Sequence, residues 1–292
     1  MTNSNIKTVG EVLRSSQQYC RQHNVYDADI SCEHLLSCLL KCKRLDLQLK
    51  QDMELNEKYL EAMRRGIKRL AVGEPIQYII GHWEFYGRTF KTDKRALIPR
   101  PETELLVETI LKEVCIVSEE LPAIVDVGTG TSCIISTLAL ELNKKGRFLG
   151  IDISPEALEL AKENVSMHDL NDIVLLTNLE LSDVIEPMTL DIVVANLPYI
   201  TTLEYSQLPP HVKDFEPKMA LEAGADGMDT ITLIVEEAFA ALKPHGLLFL
   251  EIGVNQGDMT RNLLAELGYQ NITVIKDLSS RDRIVRAEVG DI

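Results

Sequence analysis

The chain has 292 residues, 45% hydrophobic and 26% charged, the balance of a soluble globular protein with room for one large domain or two ordinary ones. No apolar run approaches the roughly 18 residues of a membrane helix, and the polar start Met1-Thr2-Asn3-Ser4-Asn5 lacks the basic-then-apolar order of a signal peptide, so a cytoplasmic protein is expected. The net charge of −15 is uneven, +4 over residues 1–98 and −19 over the rest, which argues against nucleic acid; the acidity either serves solubility alone or suits a basic protein partner.

Residues 5–72 show apolar positions at helical spacing: Val9, Val12 and Leu13, then Ile30, Leu35, Leu36, Leu39 and Leu40, then Leu55, Tyr59, Leu60, Met63, Ile67 and Leu70. A small helical domain over residues 1–75 is expected, with Asp27 and Asn56 as N-caps and Gly73 as a stop before Pro75. The β-prone, glycine-punctuated stretch from Ile76 to Phe90 predicts a hairpin within a linker of residues 76–98. Six cysteines without a CxxC pair read as reduced, mostly buried thiols, with no metal site expected.

Leu97-Ile98-Pro99-Arg100-Pro101-Glu102-Thr103-Glu104 opens a second domain over residues 99–292. Pro101 suits a first helical turn, and the two glutamates favour the positive end of the helix dipole. Arg100, between two prolines, either orders a site wall or an acid, or is ordinary surface. The buried strand Ala123–Val127 runs into Gly128-Thr129-Gly130-Thr131-Ser132 and a helix from Cys133, a nucleotide-type unit in which glycines let the backbone approach a ligand. Ser132 stands where a third glycine is common. A strand from 147 ends in Asp152, placed to accept ribose hydroxyls. A strand over 173–177 leads to Ser182-Asp183-Val184, positioned to face the adenine of the same ligand.

The fourth strand, Asp191–Ala195, delivers Asn196-Leu197-Pro198-Tyr199 to its C-terminal end, where open α/β sheets bind ligands. A polar loop over 201–226 follows, then a helix over 227–242, a strand over 246–252, a helix over 255–267 and strands over 271–276 and 283–289. The sum is a seven-stranded α/β sheet with a terminal antiparallel hairpin. Asn164-Val165-Ser166 and Asn271-Ile272-Thr273 match the glycosylation sequon by chance.

An amide or adenine amino group is a poor nucleophile because its lone pair is delocalised. Two acceptors that take its N–H hydrogens steer that lone pair, and here the Asn196 side-chain oxygen and the Leu197 carbonyl are such a pair. Pro198 restricts Leu197 to an extended backbone and aims its carbonyl, and Tyr199 offers a flat face to a planar group. The matching electrophile is a sulfonium methyl group.

Asp126-Val127-Gly128-Thr129-Gly130, Asp152 and Asn196-Leu197-Pro198-Tyr199 resemble the amino-methylating class I S-adenosylmethionine-dependent methyltransferases, with their Rossmann-like sheet. Pro75-Ile76-Gln77-Tyr78-Ile79, Glu84-Phe85-Tyr86-Gly87, Leu97–Glu104, Leu250-Glu251-Ile252-Gly253, Asp277-Leu278 and Asp282-Arg283 narrow the resemblance to the release factor glutamine methyltransferases. That resemblance runs from about residue 6 to 289. It implies methyl transfer to the side-chain N5 of the glutamine in the Gly-Gly-Gln loop of peptide chain release factors, and so a role in translation termination. It assigns Gly128 to Ser132, Asp152, Asp183, Val184 and Asn196 to S-adenosylmethionine, Asn196 to Tyr199 to the glutamine, Arg100 to the substrate side, and substrate recognition to the helical domain. Leu197 departs from the family's usual proline and is similar to the motif of ribosomal RNA adenine dimethylases. An adenine-N6 methyltransferase on RNA or DNA, or a non-catalytic relative, is therefore the alternative.

Overall fold

A computed structural model of the chain describes residues 7–117 and 121–291, which divide into two compact units: Met1–His82 with Pro209–Phe215, and Trp83–Leu208 with Glu216–Ile292. In the first, strand β1 (Lys7–Thr8) enters α1 (Val9–Gln22), whose N-cap Thr8 forms a capping box with Glu11. α2 (Ala28–Leu40) follows, then β2 (Glu54–Leu55), antiparallel to β1, and α3 (Glu57–Ala71). Asn56 caps α3 by accepting from the Tyr59 amide, as its sequence position predicts; Asp27 takes a left-handed conformation at the start of α2 and makes no capping bond. Val9, Val12, Leu13, Leu35, Leu36, Leu60, Met63 and Leu70 form the buried interior, whereas Ile30 is 45% exposed. Cys20 and Cys32 are buried free thiols with sulfur atoms 3.6 Å apart, well beyond a disulfide bond.

The stretch expected to begin the hairpin is helical instead. α4 (Ile76–Ile80) is entered through Pro75, whose φ of −59° pre-sets a first turn, and ends at Gly81 with φ +78°. The Arg69 guanidinium donates to the Tyr78 and Ile79 carbonyls at 3.5 and 3.4 Å, so the short helix's last acceptors are satisfied despite its β-branched residues. The hairpin itself is shorter: β3 (His82–Phe85) and β4 (Arg88–Lys91) are joined by Tyr86 and Gly87, both at positive φ, the twist that a two-residue hairpin turn requires.

In the second unit α5 (Pro101–Val117) precedes alternating strands and helices: β5 (Ala123–Val127), α6 (Cys133–Glu141), β6 (Arg147–Ile151), α7 (Pro155–Met167), β7 (Val174–Thr177), α8 (Leu181–Val184) and β8 (Leu190–Asn196). The expected loop over 201–226 contains short helices α9 (Thr202–Ser206) and α10 (Pro210–Lys213), the latter in the first unit, and a 3-10 turn at Lys218–Ala220. Thr201 and Glu204 form the capping box that starts α9. α11 (Asp229–Ala241), β9 (Leu242–Glu251), α12 (Gly257–Glu266), β10 (Tyr269–Lys276) and β11 (Asp282–Val289) complete the chain.

The sheet has seven strands in the order β10-β11-β9-β8-β5-β6-β7. β5 to β9 pair in parallel, while β11 runs antiparallel to both β9 and β10. Continuous apolar runs such as Ile192 to Ala195, fully buried, are what a parallel strand covered on both faces requires. Strand order reverses between β5 and β8, so the loops after those two strands open into one crevice. Among the described residues no helix is long and apolar enough to cross a membrane.

Candidate active site

The loop after β5 turns through left-handed backbone at Gly128 (φ +73°), Gly130 (φ +53°) and Ser132 (φ +62°). Its amides are largely used by the protein. Gly128 and Thr129 donate to the Ile151 carbonyl at 2.8 and 2.9 Å, Gly130 donates to Asp152 Oδ2 at 2.8 Å, and Ser132 donates to the Thr129 carbonyl at 2.7 Å. The glycines therefore supply the tight turn and the close approach, rather than a row of free amides. Asp152 is locked by the same contacts: its Oδ1 accepts from the Ser154 amide at 2.9 Å, and partial burial raises its pKa against these two bonds. Asn164, fully buried on α7 and so closed to glycosylation, donates to the Thr131 carbonyl at 2.9 Å and also bonds both backbone groups of Lys91.

The loop after β8 is held at four points. Asn196 donates from Nδ2 to the Thr103 hydroxyl at 3.1 Å, and that hydroxyl donates to Glu251 Oε2 at 2.7 Å. Thr230 donates to the Pro198 carbonyl at 3.2 Å. Gln256 Nε2 donates to the Tyr199 carbonyl at 3.0 Å, and the Tyr199 hydroxyl donates to Glu251 Oε1 at 3.4 Å. The Leu197 carbonyl accepts no hydrogen bond among the described residues. Gly227 is required beside this loop, because at φ +76° a Cβ would lie 2.4 Å from the Tyr199 carbonyl oxygen. The Leu197 side chain is buried, and a Cβ on Gly128 would stand 3.3 Å from its Cδ2.

A cavity of about 220 Å³ lies in this crevice. Its walls come from Gly128–Thr131, Ile151–Ser154, Leu179–Leu181, Asn196–Pro198, Arg100 and Thr103, and Met219 and Ala220, with Leu233, Ile234 and Glu237 of α11. Of the residues predicted for the site, Gly128, Thr129, Gly130, Thr131, Asp152, Asn196, Leu197, Pro198 and Arg100 are brought together here. Ser132 lies outside the lining, with its hydroxyl donating to the Ala161 carbonyl at 3.5 Å; Tyr199 stands behind the lining, and Asp183 is exposed two residues past Leu181. The side chain of Val184 lies outside the described residues. Arg100 pairs at 2.5 Å with Glu216, which is 1% exposed and also accepts from the Ile98 amide at 3.2 Å. Cys133 lines the cavity as a neutral thiol, since burial pushes its pKa up to about 12.

Sequence reasoning gave no role to Thr103, Glu251, Gln256, Thr230, Asn164 or Glu216. Glu251 carries a visible signal, an acid closing the apolar run Leu247-Leu248-Phe249-Leu250. The partners themselves are fixed by strand register, which sets Asn196 beside Glu251 in the β8–β9 pair.

Among solved structures the chain is similar to the hMettl16 catalytic domain in complex with MAT2A 3'UTR hairpin 6, at 18% identity and a TM-score of 0.55, over 70% of this chain and 77% of that one. The same domain with hairpin 1 gives 17% and 0.53, over 80% and 81%. Residues 119–278 match a model described as a methyltransferase domain. The sheet order and the crevice loops define a class I S-adenosylmethionine-dependent methyltransferase.

Residues 11–81 match the PrmC N-terminal domain. The release factor glutamine methyltransferase of Geobacter sulfurreducens is 34% identical over 98% of each chain, that of Koribacter versatilis 35% over 95% of this chain and 97% of its own, and that of Bacillus anthracis 36% over 88% and 91%. The chain belongs to the release factor glutamine methyltransferase family.

Proposed function

We propose that this chain transfers a methyl group from S-adenosylmethionine to the side-chain N5 of the glutamine in the Gly-Gly-Gln loop of peptide chain release factors. The observation that carries this reading is one cavity shared by the glycine turn, Asp152 and Asn196–Pro198, inside a chain of this family. The cavity fits the cofactor. The left-handed glycine turn lets a ligand lie against backbone, Ile151, Leu179, Leu181 and Ile234 offer apolar walls to a purine, and Asp152 keeps unshared lone pairs for a ribose diol. Asp183 and Val184, expected on the adenine side, follow Leu181 in the chain. When bound, S-adenosylmethionine supplies an electrophilic methyl group on a sulfonium centre.

The residues of the chain do the rest by position. Asn196 Oδ1 and the Leu197 carbonyl accept the two N–H bonds of the glutamine carboxamide and turn its nitrogen lone pair toward the methyl group. Pro198 fixes the direction of the Leu197 carbonyl. Tyr199, tied at its hydroxyl and its carbonyl behind the lining, braces the loop that carries Asn196 and Leu197. Arg100, bonded to Glu216, holds the opposite wall. Near-attack positioning of this kind is worth roughly 7–11 kcal/mol, so no strong base is required. The substrate places the chain's work in the cytoplasm, with the helical unit as the release-factor recognition domain, residues 76–98 as the linker and residues 99–292 as the catalytic domain.

The test uses labelled S-adenosylmethionine with a release factor and with the Gln→Ala variant of its Gly-Gly-Gln loop. Label is expected on the wild-type factor only, and Asn196→Ala is expected to abolish it while cofactor binding is largely kept. Equal labelling of both factors refutes the substrate. Label that goes instead to RNA, with an affinity that falls steeply with salt, turns the reading to adenine.

A further inference from the structure

We propose that Thr103 and Glu251 are positioning residues, a directional hydrogen-bond relay that orients the Asn196 carboxamide so that Oδ1, not Nδ2, meets the acceptor. The proposal rests on the role given to Asn196 above. Its basis is the chain of contacts from Asn196 Nδ2 to Thr103 Oγ1 at 3.1 Å and from Thr103 Oγ1 to Glu251 Oε2 at 2.7 Å. Thr103 and Glu251 are 2% and 1% exposed, so water does not replace the bond between them, while Asn196 faces the cavity.

A hydroxyl has one hydrogen, and an ionised carboxylate has none to give. With Glu251 ionised, the Thr103 hydrogen must point at Glu251. The lone pair left on Thr103 then faces Asn196, and only Nδ2–H can meet it. Oδ1 is thereby assigned to the cavity. With Glu251 protonated, the carboxyl can donate to Thr103, the threonine hydrogen turns to Asn196, and the carboxamide is stable with Oδ1 on Thr103. The cavity then sees an N–H, which repels the N–H bonds of a glutamine carboxamide.

The Glu251 carboxylate is faced by Thr103 and Glu102 of α5, by the Tyr199 hydroxyl, by Arg283 of β11 and by the Cys133 thiol of α6. Burial raises its pKa first of all, Thr103, Arg283 and Tyr199 oppose the rise, and Glu102 adds to it. Burial also raises the Tyr199 pKa, so its hydroxyl stays a donor to Glu251.

The experiment measures kcat and KM for a release factor, cofactor Kd by calorimetry, and melting, on the full chain. Thr103→Val is expected to lower kcat roughly 10- to 100-fold, with KM and cofactor Kd within about threefold. Thr103→Ser keeps the hydroxyl and is expected to return kcat to within about threefold of wild type. Wild-type log kcat is expected to fall on the acid side with a midpoint above the ordinary glutamate value of about 4.3, a limb that Glu251→Gln lacks. Three results each overturn the relay: Thr103→Val with wild-type kcat, Thr103→Ser as impaired as Thr103→Val, or the same acid limb in Glu251→Gln. If Thr103→Val does not fold, the pH comparison decides. An active Asn196→Ala refutes the acceptor reading itself; an inactive Asn196→Ala beside normal Thr103 and Glu251 variants refutes the relay alone.

Discussion

Removing the carboxamide of Asn164 measures how firmly the glycine turn is held. Asn164 Oδ1 accepts from the Lys91 amide at 2.7 Å, and Nδ2 donates to the Lys91 and Thr131 carbonyls at 3.1 and 2.9 Å. Asn164→Ala leaves one donor and two acceptors without partners. The two on β4 border solvent and cost about 1 kcal/mol each, and the Thr131 carbonyl about 2 kcal/mol, so the sum is about 4 kcal/mol. In a unit of about 200 residues this lowers the melting temperature by about 8–16 °C. Because Thr131 lines the cavity, part of the loss falls on the cofactor: its Kd is expected to rise about tenfold, or about 1.4 kcal/mol, while KM for the release factor holds. Asn164→Asp loses both donors, sets a charge against two carbonyls and is expected to fall further. Thermal melts and calorimetry of the full chain read both effects. An Asn164→Ala chain that melts within about 2 °C of wild type, well inside the shift worked above, refutes the accounting.

Asp152→Ala is expected to weaken cofactor binding about 10- to 100-fold, about 1.4–2.7 kcal/mol, with turnover at saturating cofactor far less affected; unchanged calorimetric affinity contradicts the ribose role. Asp126 is fully buried, and burial, with the nearby Asp152 charge, pushes its pKa up to about 7 against the Thr129 hydroxyl and the Ile135 amide. The folded state therefore holds that proton more tightly than the unfolded chain, so stability is greatest below the unfolded pKa and is lost as pH rises through the folded one. The loss is on the order of 4 kcal/mol between pH 4 and 7; denaturant titrations across that range should show the slope in wild type and a flatter one in Asp126→Asn. Glu216→Ala strips the partner from Arg100 and the acceptor from the Ile98 amide. A broken buried pair costs about 3–5 kcal/mol, and because Arg100 still reaches solvent about 2–3 kcal/mol is expected, visible as a lower denaturant midpoint.

The sheet was legible because its central strands are buried on both faces and read as continuous apolar runs; β8 extends one residue beyond its expected span at each end. Helix α4 was not, since isoleucines at 76, 79 and 80 favour strands, and the deciding influences were Pro75, Gly81 and a guanidinium seven residues before its start. The helices within 201–226 left a readable sign in the Thr201–Glu204 capping box. Asn196 was legible from its place after a strand, but its supports were not. Thr103 lies 93 residues from Asn196 and 148 from Glu251; the β8–β9 register sets Asn196 beside Glu251, and Thr103 reaches both from α5. The glycine turn was expected to bring its backbone to a ligand; the parallel pairing of β5 with β6 gives most of its amides to Ile151 and Asp152 first.

Leu197 gains a further meaning from its contact with Gly128. A Cβ at Gly128 would stand 3.3 Å from the Leu197 Cδ2, so the loops after β5 and β8 leave little room between them at this point. Their separation is thus gauged by a side chain, much as a spacer sets the gap between two jaws. A shorter residue at 197 would let the jaws close, and a larger one at 128 would force them apart. On the function proposed above, either change would alter the distance over which the methyl group must travel, without touching an atom that reacts. Reach, in this enzyme, is a packing variable.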